Sequence, residues 1–551
     1  MTHFNPRLLT TTLAAIPLAI FQPAFGADPV TQPAAAPLVV VNTAAEPLAP
    51  GKFQPTWQSL QQYKTPDWFR DAKFGIWSVW GPQSVPEQGD WYARNMYTEG
   101  HRQNLYQVAN YGPPSTFGYK DILPLWKAQN WDPKRLMTLY KQAGAKYFMV
   151  MVNHHDNFDL WDSKYQPWNS VAIGPKRNIL GEWAAEAKAN GLRLGISIHS
   201  DHAWTWYETS RGADKKGPLA GVPYDGALTK ADGKGKWWEG LDPQDLYQQS
   251  HPLSKLPDVS KMWDWENGAC PPSQAYCDNF YNRSADIINR YQPDVIYYDD
   301  DALPLSQVSD AGLKIAAHFY NSNMKQHAGQ LEAVLTGKML TPAQRQAMVW
   351  DIERGQTDGI EPLPWQTDTC VGDWFYKKGV HYKTAAQLIP TLADVVSKNG
   401  NLMLNAPLAP EGTLDPEVEK TLTDIGQWLA ANGQAIYGTR PWKVFGEGPT
   451  AEKPAPMKNQ GFNEGLKFTA ADIRFTAGGD AVYAIILGSP DKDITIKSLG
   501  TAARLLEKPV GTVVMLGSDE KLQWSQGADA LVIKAPQKMP SIFAVVFKIT
   551  P

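Results

Sequence analysis

Residues 132–156 read DPKRLMTLYKQAGAKYFMVMVNHHD and carry two different periodicities. Over 132–145 apolar residues recur at three- and four-residue spacing, which predicts a helix. From Tyr147 to Val152 the chain is apolar without alternation, as in a strand covered on both faces. Four polar residues close the run: Asn153, His154, His155 and Asp156. A buried strand preceded by a helix and ending in polar groups is the repeating unit of a parallel, helix-covered sheet. Polar residues gathered at strand C-termini further suggest a (β/α)₈ barrel, because that face carries the active site.

The same unit recurs on either side. The strand-like runs are FGIWSVWG (74–81), LRLGISIHSDH (192–202), DVIYYDDD (294–301), LEAVLTG (331–337), AMVWDIERG (347–355) and GNLMLNAPLAP (400–410). A second helical pattern, ILGEWAAEAKANG, occupies 179–191. With the opening run this makes seven strands, and the eighth is expected near PWQTDTC (364–370). From about residue 441 the texture changes to short β runs broken by Gly, Pro and Asp, such as RFTAGGDAVYAIILG (474–488) and SIFAVVFKI (541–549). The expected fold class is therefore α/β: a (β/α)₈-like barrel over 51–440, then an all-β sandwich over 441–551.

The N-terminus reads differently. Residues 8–21 are apolar, Arg7 precedes them, and Ala24 and Gly26 are small. This matches a secretory signal over 1–26, too short in its apolar part for a membrane span. The Ala/Pro-rich segment 27–50 reads as a disordered lead-in. The expected location is thus periplasmic or secreted, with no membrane association after cleavage. A net charge of −4 over 551 residues provides no basic field for nucleic acid. The sequence assigns no oligomeric state. Of three cysteines, Cys270 and Cys277 lie close enough in a loop-like stretch to close a disulfide in an exported protein, leaving Cys370 over.

The chain holds 22 Trp and 22 Tyr, more than a core needs. Many sit beside polar residues, as in DWYARNMY (90–97), DHAWTWYE (201–208) and KMWDWENG (261–268). Aromatic faces next to hydrogen-bonding groups suit sugar rings; amphipathic packing accounts for part of the same pattern. In DVIYYDDD, strand alternation places Tyr297 and Asp299 on one face, Asp300 on the face toward the helices, and Asp301 past the strand end. These residues alone leave Asp299 balanced between a catalytic carboxylate and an acidic cap. Asp351 and Glu353 share a face of the next candidate strand, so two carboxylates could meet at one barrel mouth, the minimum for glycosidic cleavage. His154 and His155 make a poor metal set, since neighbours on a strand point apart and no third ligand follows. No nucleophile elbow accompanies them. Hydrogen bonding to sugar hydroxyls asks least of them.

AKFGIWSVWG (72–81), GDWYARNMY (89–97), AGAKYFMVMVNHHDNFDLWDSKYQPWNSV (143–171), YQPDVIYYDDDALP (291–304) and VSKNGNLMLNAPLAPEGTLD (396–415) stand in one order. In that order the chain resembles the α-L-fucosidases of glycoside hydrolase family 29 over roughly residues 55–445. The resemblance implies a barrel with a C-terminal sandwich and retaining hydrolysis of terminal α-L-fucose, with no metal and no organic cofactor. A fucosylated oligosaccharide or glycoconjugate is then the substrate. The family's nucleophile falls on Asp299 and its aromatic platform on Tyr297, where Trp is usual. The paired sugar-binding histidines fall on His154 and His155. Trp91, with Asp90 for the usual Glu, matches another segment of the sugar site. The acid/base falls on Glu353, with Asp351 and Glu361 as alternates. The family's first strand ends in a sugar-contacting His, and here Val79 takes that position; His199 or His202 is expected to supply the contact instead. A related sugar such as L-galactose, or fucose binding without catalysis, are the alternative readings. The loops at 209–260 and 261–280 are expected to shape the leaving-group side.

Overall fold

The computed structural model describes residues 39–256, 262–454, 456–457 and 461–551. The expected signal over 1–26 and the lead-in over 27–38 lie outside the described residues. The 132–156 stretch folds as its periodicities predict. Helix α1 (Pro133–Gln142) begins at Asp132, whose carboxylate accepts the Arg135 N–H at 3.0 Å, with Pro133 in the first turn. It buries Leu136, Met137 and Tyr140 along one face. Gly144 at φ +99° then turns the chain back, where a Cβ would meet the Tyr437 hydroxyl at 2.6 Å.

Eight parallel strands close a barrel in chain order: β1 (Phe74–Ser78), β2 (Tyr147–Asn153), β3 (Arg193–Ile198), β4 (Val295–Asp301), β5 (Val334–Lys338), β6 (Val349–Glu353), β7 (Trp365–Cys370) and β8 (Gly400–Asn405). Strand β7 is the eighth strand, in the segment where the sequence leaves room for it. β1, β2, β7 and β8 are buried along their whole lengths, because one face fills the barrel and the other lies beneath helices. That removes alternation and explains the continuous apolar runs. Helices α2 (Ile179–Ala189), α3 (Gln274–Tyr291), α4 (Ala311–Gln326), α5 (Ala385–Ser397) and α6 (Pro416–Asn432) complete the outer layer. Among the described residues the β5–β6 and β6–β7 connections hold no α-helix.

The C-terminal strands form two antiparallel sheets. One is five-stranded and includes β9 (Arg440–Glu447), β10 (Ile473–Gly478), β11 (Ala481–Ile486), β13 (Thr512–Met515) and β16 (Val545–Thr550). The other pairs β12 (Ile494–Ile496), β15 (Leu531–Ile533) and β14 (Trp524–Gln526). Alternation gives β11 two roles. Val482, Ala484 and Ile486 enter the sandwich core, while Ala481, Tyr483 and Ile485 join the barrel's apolar cluster. In the same contact, Asp394 on α5 pairs with Arg474 Nε at 2.6 Å and with Lys398 Nζ at 2.9 Å, all fully buried.

Two expectations are corrected. Residues 39–50 are not a disordered lead-in. Val39 bridges to Ser309, the Val41 N–H donates to Asp310 at 2.9 Å, and the Ala49 N–H reaches His318 Nδ1 at 2.9 Å. The segment has no helix or strand of its own, as its composition suggests, but side chains of α4 and its cap satisfy its backbone. The cysteines are all free: Cys277 is buried in the first turns of α3, while the Cys270 thiol approaches the Pro271 carbonyl.

Candidate active site

The C-terminal ends of the barrel strands open into a cavity of about 490 Å³. All eight residues singled out from the sequence line it: Asp90, Trp91, His154, His155, His199, Tyr297, Asp299 and Glu353. Val79 lines it too, beside His199 and His202. The other acid/base alternates do not. Asp351 is buried in the barrel and accepts from Gln366 at 2.6 Å, and Glu361 pairs with Arg345 at 3.0 Å.

Lys338, at the end of β5, ties the site together. Its Nζ lies 2.5 Å from Asp299 Oδ1 and 2.6 Å from Glu353 Oε2. Both bonds share one nitrogen, so those two carboxyl oxygens lie no more than about 5 Å apart. Burial alone would raise the Asp299 carboxyl. The Lys338 ammonium and hydrogen bonds from His155 and His199 outweigh it and hold that carboxyl well below the usual carboxylate range. Lys338 is in turn held well above the ordinary lysine value: burial opposes this, but Asp299, Glu353 and Asp368 prevail.

The hydrogen-bond network fixes the proton on His154 and His199. Burial depresses all three rings, His155 to about 4, so they are neutral at pH 7. Gln83 accepts the Ala93 N–H with its oxygen, so its amide nitrogen donates to His154 Nδ1 at 3.0 Å. That leaves the His154 proton on Nε2, on the side of Asp90 Oδ1 at 3.7 Å. His155 Nδ1 lies 2.8 Å from the His199 carbonyl, and its Nε2 faces Asp299 Oδ2 at 3.4 Å. The Trp77 indole donates to Ser197 Oγ at 3.2 Å, and the Ser197 hydroxyl lies 3.1 Å from His199 Nε2. His199 Nδ1–H is then free to donate to Asp299 Oδ2 at 3.3 Å. The cavity therefore offers the His154 Nε2–H as a donor to hydroxyl groups, beside two imidazoles set against Asp299.

The aromatic floor is built from β1, β4 and the segment that follows β7. Tyr297 packs 5.0 Å from Trp77 between ring centroids and donates its hydroxyl to Asp368 at 2.8 Å. Trp374 stands 5.4 Å from Trp77 and donates its indole N–H to Glu353 Oε1 at 3.2 Å.

Strand phase misplaced part of the acidic run. Asp300 does not face the helices and Asp301 does not lie beyond the strand: β4 runs through Asp301, and both residues line the cavity. Register shifts between Tyr297 and Asp301, and such an irregularity cancels alternation. Asp300 Oδ1 lies 3.4 Å from His202 Nε2, which is 3.3 Å from Asp201. Burial opposes charging His202, yet Asp201 and Asp300 hold its ring well above the ordinary histidine value. A similar lapse applies to His154 and His155. Strand β2 ends at Asn153, so both rings enter one cavity, 4.3 Å apart.

Among the described residues two groups have the spacing of metal ligands, His154–His155–His199 and Asp201–His202–Asp300. In the first, His154 Nδ1, His155 Nδ1 and both His199 nitrogens are engaged in the contacts above, and in the second the His202 ring lies between the carboxyl groups of Asp201 and Asp300. Reasoning from sequence missed Lys338, Trp77, Trp374 and Asp368. Lys338 directly follows the LTG of a barrel strand, the place where chemistry is expected, and that signal was available.

Residues 40–434 match the family model for α-L-fucosidase, and residues 467–550 match that for the α-L-fucosidase C-terminal domain. Tissue α-L-fucosidase of Mus musculus is 28% identical over 514 residues, covering 91% of this chain and 94% of that protein. The α-L-fucosidase of Branchiostoma floridae is 28% identical over 484 residues, covering 86% of this chain and 89% of that one. The crystal structure of Thermotoga maritima α-fucosidase in complex with fucose superposes with a TM-score of 0.65 at 25% identity, over 90% of this chain and 99% of that one. With the family model covering most of the barrel and a second one the sandwich, this chain belongs to the α-L-fucosidases of glycoside hydrolase family 29.

Proposed function

We propose that the protein releases terminal α-L-fucose from glycans with retention of configuration, through a covalent fucosyl-enzyme intermediate. The observation that carries this reading is the pair Asp299 and Glu353, held across the single Lys338 ammonium at 2.5 and 2.6 Å. Asp299 is kept ionised by Lys338 and attacks the anomeric carbon. Glu353 donates a proton to the departing oxygen, and then takes one from the water that cleaves the ester. His154 and His155 bind the sugar hydroxyls, Asp90 and Trp91 close that side, and Tyr297 lies under the ring. Lys338 holds the two carboxyl groups in register until the substrate enters between them.

The test is to treat the protein with 2-fluoro-fucosyl fluoride and map the labelled peptide. A fucosyl adduct on Asp299 is expected. Label on another residue, or inversion of the anomeric centre seen by NMR during turnover, overturns the mechanism. Export is part of the same reading and rests on the pattern of residues 1–26. N-terminal sequencing of the mature protein should start at or near Ala27, and an intact Met1 would refute it.

A further inference from the structure

The chain returns to the cavity after the barrel is complete, through residues 461–464, which lie between the segments matched by the two family models. This return is fastened to the end of β6. The Phe462 N–H donates to the Glu353 carbonyl at 2.8 Å, and the Glu464 N–H to the Arg354 carbonyl at 3.0 Å. Asn463 accepts from the Gln356 N–H at 2.8 Å and donates to the Gln356 carbonyl at 3.0 Å. Glu464 then binds Arg354 Nε at 2.6 Å and Lys383 Nζ at 2.8 Å. Gly461, at φ +84°, permits the approach, since a Cβ there would collide with the Glu353 carbonyl oxygen.

This anchoring sets Phe462 into the cavity wall beside Glu353 while leaving it 51% exposed. Met339, 38% exposed, lines the same cavity. Met339, Arg354 and Phe462 have φ of +48°, +46° and +55°, an uncommon conformation for residues with side chains, and all three line this one cavity. Residues held in that region cluster at active sites and ligand clamps. Of the loops expected to shape the leaving-group side, among the described residues 209–260 adds no lining residue and 261–280 adds Trp263.

We propose that Phe462 and Met339 form the subsite that receives the leaving-group sugar, so that a segment outside the barrel sets the preference for the residue to which fucose is attached. The proposal rests on Glu353 being the proton donor, since the leaving oxygen must then lie beside it. A pyranose ring presents an apolar C–H face that packs on an aromatic ring.

The test compares two substrates in wild type and Phe462→Ala: a neutral fucosylated disaccharide, and α-L-fucosyl fluoride, whose leaving group is a single atom. The expected result is a loss of about tenfold in kcat/KM for the disaccharide, carried mainly by KM, with the fluoride within about twofold. Phe462→Trp should restore the disaccharide. Equal losses on both substrates would mean that Phe462 only positions Glu353, and an unchanged disaccharide would mean that it touches no leaving group; either overturns the proposal. A wild-type protein inert toward both substrates instead overturns the fucosidase reading beneath it.

Discussion

Two clusters in this molecule are made of the same chemical parts and do opposite things. At the barrel mouth one ammonium, Lys338, lies between two carboxylates, Asp299 and Glu353. Between α5 and the sandwich one carboxylate, Asp394, lies between two cations, Lys398 and Arg474. The second cluster is saturated. Lys398 also donates to the Thr357 carbonyl at 2.8 Å, Arg474 to the Ile473 carbonyl at 3.1 Å, and none of the three side chains is more than 1% exposed. The first keeps an open side, with Asp299 24% and Glu353 18% exposed toward the cavity. A closed set of ion pairs fixes how two layers pack, whereas an open set leaves lone pairs and protons for a substrate.

The comparison can be broken most sharply at Asp299. Asp299→Gly should lower kcat by at least ~10⁴-fold while the melting temperature stays near wild type. A variant that unfolds would make this cluster structural as well. Glu353→Gln should cost ~10²–10⁴-fold on a fucosylated oligosaccharide and less on fucosyl fluoride, which needs little protonation to leave. Asp394→Ala should do the reverse. Leaving two buried cations unpaired costs ~3–5 kcal/mol in chemical denaturation, while kcat/KM per folded molecule is retained.

The smallest effect separates the clusters by pH. Burial depresses His154, His155 and His199, so in the unfolded chain these rings take up protons at about pH 6.5, before the folded protein does. Stability carried by neutral His155 is present above that pH and is lost as pH falls toward about 4. Asp201 and Asp368, raised by burial to about 8 and about 7, act in the opposite sense, so the measurement is a difference. The advantage of wild type over His155→Asn should shrink between about pH 6.5 and 4. For Asp394, burial works upward but Lys398 and Arg474 hold the carboxyl below its ordinary value. The advantage of wild type over Asp394→Asn should therefore shrink only below about pH 4. Thermal melts across pH decide both, and a common window for the two variants would erase the distinction.

Elements with a strong local period are legible in the amino-acid sequence. The 132–156 stretch declares its helix, its doubly covered strand and its polar end, and the eighth strand lies in the segment left for it. Legibility fails where the period lapses. The shift in β4 between Tyr297 and Asp301 brings Asp300 to the cavity, and the end of β2 at Asn153 brings two adjacent histidines together. Neither carries a composition signal. The 39–50 segment is illegible for another reason, since its order comes from helices more than 200 residues away along the chain.

The sequence by itself determined the alternation of helix and buried strand, the change to short β runs near 441, and the family, because periodicity and motif are local properties. It also named eight residues that share one cavity. Only the tertiary structure decided which charges face each other. Lys338 meets Asp299 39 residues away and Glu353 15 residues away, and Phe462 reaches the same cavity from outside the barrel. Barrel closure sets those neighbours: parallel strands with their C-terminal ends on one rim bring remote residues within hydrogen-bonding distance.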